Sequence, residues 1–151
     1  MNTVELRFSA LPAHVRTARL VAAAVARRSG VDEAILDEVR LAVGEACSRA
    51  VDLHRRYCPS EPVLVTLSDG SDAFEVAVTD RAPAEGTVAG DVMGAISSVA
   101  DLETEALPAG VGLAVISGLV DDFAVDVPAA DGVESSTGMV VRMRWPANAH
   151  R

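Results

Sequence analysis

Between Asp37 and Leu53 the residues Val39, Ala42, Val43, Ala46, Ala50 and Leu53 recur at helical spacing and form one stripe. The stripe contains no aromatic and only one leucine, so whatever it packs against can approach closely. The same economy holds throughout: half of the chain is hydrophobic, yet aromatics make up only 3%. A core of Ala, Val and Leu suits helices laid flat on a sheet. The second helix should start near Asp32, where Asp32 and Glu33 favour the positive end of the helix dipole. It should run to about Arg56, with Pro59 as its stop.

The flanking sequence supplies the sheet. Val4, Leu6 and Phe8 alternate with Thr3, Glu5 and Arg7, the pattern of a half-buried strand. Pro12 suits the first turn of a helix whose apolar stripe, Val15, Leu20, Val21 and Val25, runs up to Ser29-Gly30. VLVTL from Val63 and FEVAVTD from Phe74 read as strands around the turn Ser68-Asp69-Gly70. From Arg81 to Pro108 the chain is rich in Gly, Ala, Pro and acid, with a weak helical patch over Ile96 to Leu102. That is long for a loop in a compact domain. A short helix, LAVISGLV, then a strand, DFAVDV, a turn near Asp131-Gly132 and a last strand, TGMVVRMRW, complete the order. One α+β domain over residues 1–151 is expected, a two-layer α/β sandwich with a mostly antiparallel, mixed sheet and helices on one face.

Composition excludes several functions. A net charge of −9 argues against coating nucleic acid, which needs clustered basic residues. No apolar run reaches the ~18 residues of a membrane span, and MNTVELRF has no signal-peptide pattern, so the cytoplasm is the expected compartment. Cys47 and Cys58 have no metal-type spacing with His14, His54 or His150 and read as small packing residues. No Ser/His/Asp or Cys/His set suggests a hydrolase.

Beside the apolar stripe of the second helix lie Glu38, Leu41, Glu45, Ser48, Arg49 and Asp52. By spacing alone this is a solvated flank, with an i,i+4 ion pair between Glu45 and Arg49.

Three segments in order resemble the GHKL ATPase superfamily, and specifically its anti-sigma-factor serine kinases. LDEVRLAVGEACSRAV is similar to the helix that carries a Glu and, four residues on, an Asn. VAVTDRAP is similar to the strand ending in Asp before glycine-rich sequence. LPAGVGLAVISGLVDDFAV is similar to the Gly-x-Gly-Leu that opens a helix before an Asp-containing turn. The resemblance covers essentially the whole chain and implies a Bergerat-type sandwich with ATP and Mg²⁺ as cofactors. By position it implies Glu45 as general base, Asp80 as the reader of the adenine amino group, and Gly110 and Gly112 beside the phosphates. From the residues alone, Asp80 could equally cap a turn, and the two glycines could be a tight turn before a helix.

The departures fall where the chemistry is most demanding. Arg49 stands at the Mg²⁺-binding Asn position, and a guanidinium has five donors and no acceptor. Ala82, followed by Pro83, replaces the first glycine after Asp80. Val111 stands where an Arg is common, and Leu53 where the family has a His, with His54 one place out of register. The expected metal ligands are therefore none, and the nucleotide site, Glu45, Arg49, Asp80, Ala82, Gly110 and Gly112, reads as degenerate. The resemblance implies an anti-sigma regulator that sequesters a sigma factor and is released by an anti-anti-sigma protein, pairing as a homodimer through its first strand and helix. The alternative is an active serine kinase acting on the anti-anti-sigma partner.

Overall fold

The computed structural model describes residues 2–83, 116–118, 120, 122–126 and 137–148. Strand β1 (Asn2–Phe8) leads into helix α1 (Pro12–Ser29), a 3₁₀ turn (Glu33–Ile35) and helix α2 (Leu36–Tyr57). Strands β2 (Val63–Asp69), β3 (Ala73–Pro83), β4 (Asp122–Asp126) and β5 (Thr137–Pro146) follow. The five strands form one sheet in the order β1-β2-β3-β5-β4, and all four pairings are antiparallel. This is the expected two-layer α+β sandwich.

The alternation read from the sequence decides which face of the sheet is covered. Val63, Val65 and Leu67 of β2, Phe74, Val76 and Val78 of β3, and Met139, Val141, Met143 and Trp145 of β5 are all buried. They meet the stripe of α2, in which Val39, Ala42, Val43 and Ala46 are fully enclosed, as are Ala22 and Ala26 of α1. Glu75, Arg142 and Arg144 alternate onto the other face, where Arg142 bridges Glu75 and Asp126. Trp145 is buried and stacks on Phe74 with ring centroids 6.0 Å apart.

Helix ends follow their sequence signals. Pro12 occupies the first turn of α1, and Gly30 caps it in the left-handed region (φ 95°), with Gly30 and Val31 donating back to Arg27 and Ala26. The second helix differs at its start. Asp32 caps only the 3₁₀ turn, through its side chain to the Ala34 N–H at 3.0 Å, and α2 proper begins at Leu36. Asp32 satisfies its donor two residues on, and that tight turn delays the α-helical register.

β3 is longer than its sequence suggests. Arg81-Ala82-Pro83 was expected to open the loop, but pairing with β5 resumes at Pro83↔Thr137 after a register shift beyond Asp80. Gly138 accommodates the shift with φ 97°, and a Cβ there would drive into the carbonyl of Asp80. Gly138→Ala should therefore cost about 2 kcal/mol or more, from a strained φ together with a backbone collision. Its thermal midpoint, compared with that of an Ala substitution at exposed Ser71, checks this. The helix patch at 96–102, the turn at 131–132 and Gly110 and Gly112 lie outside the described residues. Of LAVISGLV, residues 116–118 are helical, with the Val120 N–H donating to the Ile116 carbonyl at 3.1 Å.

Candidate functional site

Two of the three segments singled out in the sequence meet where α2 crosses the end of β3. Val39, Ala42, Val43 and Ala46 press α2 onto the sheet, and the next turn delivers Arg49 to the strand end that carries Asp80. Arg49 is not on a solvated flank: its side chain is 4% exposed and that of Asp80 is 3% exposed. Arg49 donates from one terminal nitrogen to Asp80 Oδ2 at 2.9 Å and from the other toward the Met139 sulfur at 3.2 Å. Asp80 Oδ1 accepts the Ala82 N–H at 3.0 Å. Both carboxylate oxygens of Asp80 are thus engaged within the protein, one by the guanidinium and one in a turn of the kind its position at a strand end allowed.

The expected Glu45–Arg49 pair does not form. Geometry along a helix permits it, but burying the guanidinium beside a buried carboxylate neutralises two charges that would otherwise each lack a counter-charge. Glu45 is half-buried and makes no hydrogen bond or ion pair with another described residue. Ala82 is buried directly after the Asp80 turn. Glu45, Arg49, Asp80 and Ala82 are therefore placed on α2 and the end of β3, while Gly110 and Gly112 lie outside the described residues.

Sequence reasoning missed the role of His54. Placed one residue past the family's histidine position, it is fully buried at the end of α2. Its Nε2 accepts the Arg81 N–H at 2.9 Å, so Nδ1 carries the proton and donates to the Glu61 carbonyl at 2.8 Å. One imidazole thereby joins α2, the loop before β2 and the residue that follows Asp80. The available signal was its position next to Leu53, at the end of the apolar stripe.

Among the described residues no cluster of His, Cys, Asp or Glu could hold a metal ion. The thiols are not reactive groups either. Burial pushes the Cys47 thiol up to about 12. Cys58 is also raised, first by desolvation and then by the negative charges of Glu61 and Asp80. A raised pKa lowers the thiolate fraction at neutral pH. Iodoacetamide at pH 7.5 should thus leave Cys47 unmodified in the folded protein and label Cys58 more slowly than a free cysteine, whereas both should react at once in denaturant. Intact-mass spectrometry over time would read both.

What the arrangement can do follows from the donor set. A carboxylate at a strand end can read an exocyclic amine only through an accessible acceptor, and here Asp80 is buried with each oxygen already accepting a bond, from Arg49 or from Ala82. The position one turn after Glu45 offers positive charge in place of an oxygen ligand, so these residues do not fit Mg²⁺. The sequence model of the histidine kinase-like ATPase domain family matches residues 8–145. No curated protein matches the chain significantly.

Proposed function

The chain belongs to the histidine kinase-like ATPase domain family, and from that premise we propose that it is a regulator of the anti-sigma type that works by binding rather than by phosphoryl transfer. It sequesters an alternative sigma factor in the cytoplasm and is released when an anti-anti-sigma protein competes for an overlapping surface. A homodimer formed through β1 and α1 is part of this proposal. The observation that carries it is the buried Arg49–Asp80 ion pair. It sets a fixed positive charge where transfer of a phosphoryl group needs a metal ligand, and it occupies the carboxylate that would hold adenine.

Two experiments test this. Isothermal titration with ATP and Mg²⁺ should give no binding at the Asp80 site, and co-purification from the host should recover a sigma factor or a small anti-anti-sigma protein. Recovery of neither would remove the main support for the regulatory role.

A second reading, an active serine kinase, is favoured by Glu45. It is half-buried and uncommitted among the described residues, as a general base must be. This reading requires that Mg·ATP raise the melting temperature and that Glu45→Ala abolish label transfer to the anti-anti-sigma partner.

A further inference from the structure

Every basic residue of the chain is an arginine, in a molecule of net charge −9. Among the described residues, eight arginines hold a carboxylate. Arg16, Arg19, Arg28 and Arg55 do not, and three of these four line one cleft.

The cleft measures about 340 Å³ and lies between the first half of α1 and the second half of α2. It shares no residue with the Arg49–Asp80 network. Pro12 and the buried Val15 and Val51 contribute apolar surface, and exposed Arg16, Arg19 and Arg55 supply the charge. Asp52 is the one acid in the lining, and it is already held by Arg56 at 3.4 Å. The stem of Arg19 lies across Gly44, where an added Cβ would come within 2.9 Å of its Cδ.

We propose that this cleft is an anion-binding site for a small molecule bearing two or more linked phosphates. Three guanidiniums around one cleft exceed what a single carboxylate can neutralise, and their forked donors match phosphate oxygens two at a time. Apolar surface beneath a few charged groups in a concavity of this size is the make-up of a small-ligand pocket. The inference does not depend on the regulatory role proposed above.

Inorganic pyrophosphate without metal is the probe, titrated calorimetrically into the full chain at low salt. The wild type should bind one equivalent. Arg19→Gln should weaken binding at least tenfold, and Arg16→Gln/Arg19→Gln/Arg55→Gln should abolish it. Arg28→Gln removes an unpaired arginine outside the cleft and should change nothing. Raising salt from about 50 to about 200 mM should weaken binding several-fold, as screened charge recognition must. The proposal is overturned if the wild type does not bind, if the triple variant binds as the wild type does, or if Arg28→Gln weakens binding as much as Arg19→Gln. It is also overturned if a glutamate-rich peptide binds in an Arg19-dependent way while pyrophosphate does not, since the cleft would then serve a protein segment. ATP carries linked phosphates, so its titration should be repeated in the triple variant. Binding that survives there belongs to the Asp80 site and counts against the binding-only function; binding lost there belongs to the cleft.

Discussion

Arg49→Ala should lower the thermal midpoint by roughly 6–20 °C. Removing one member of a buried ion pair typically costs about 3–5 kcal/mol, because the other is left charged and unpaired. For a chain of this size each kcal/mol corresponds to about 2–4 °C. Asp80 would keep the Ala82 N–H on Oδ1 and lose its partner on Oδ2. Asp80→Ala should be comparably damaging, since the guanidinium would retain only the Met139 sulfur. The combination Arg49→Met with Asp80→Asn removes both charges while Asn keeps the acceptor for Ala82. Its thermal midpoint should recover more than half of the loss seen in either single variant. Glu45→Ala should stay within about 0.5 kcal/mol. If Glu45→Ala proved as costly as Arg49→Ala, the guanidinium would be paired along the helix and not with the strand.

The contrast between these two partners marks the limit of what the sequence conveys. Local periodicity is a property of neighbours, so the α2 stripe, the alternation of β2, β3 and β5 and the stop at Gly30 were all legible. Arg49 has Glu45 four residues away and Asp80 thirty-one residues away. Only the tertiary packing of α2 onto β3 shows that the distant carboxylate is the buried one. The extension of β3 through Pro83 was hidden for a similar reason. Arg-Ala-Pro reads as a loop, and the residue that makes room for continued pairing, Gly138, lies on β5. His54 looked like a family residue slipped out of register. Its role depends on the Glu61 carbonyl and the Arg81 amide, which converge on it only after the fold has formed. The family resemblance pointed to α2 and to the end of β3. It did not indicate that two of those residues satisfy each other.

Arg49→Asn converts that internal satisfaction into a test of the site. The substitution frees Asp80 Oδ2 and puts a carbonyl oxygen one turn after Glu45, so the two roles that the family resemblance implies for these positions, in the binding function proposed above, are tested together. Without nucleotide the variant should be less stable than the wild type by about 2–4 kcal/mol, because neutral Asn leaves the buried Asp80 carboxylate without its counter-charge. With Mg·ATP it should regain part of that loss, since a ligand that binds only the folded state stabilises it by about 2.7 kcal/mol at a hundredfold excess over Kd. Both proteins are measured in the background lacking Arg16, Arg19 and Arg55, where the one that keeps Arg49 should show no such rise. Melting curves of both proteins, with and without Mg²⁺ and ATP, separate the outcomes. A nucleotide-dependent rise confined to Arg49→Asn would mean that one side chain, by pairing with Asp80, closes a site whose remaining parts are still competent. A rise of equal size in both proteins would mean that Arg49 does not block nucleotide, and the argument for a binding-only regulator would lose its central observation. No rise in either would place the defect beyond Arg49, in the loss of glycine at Ala82 or in the segment that carries Gly110 and Gly112.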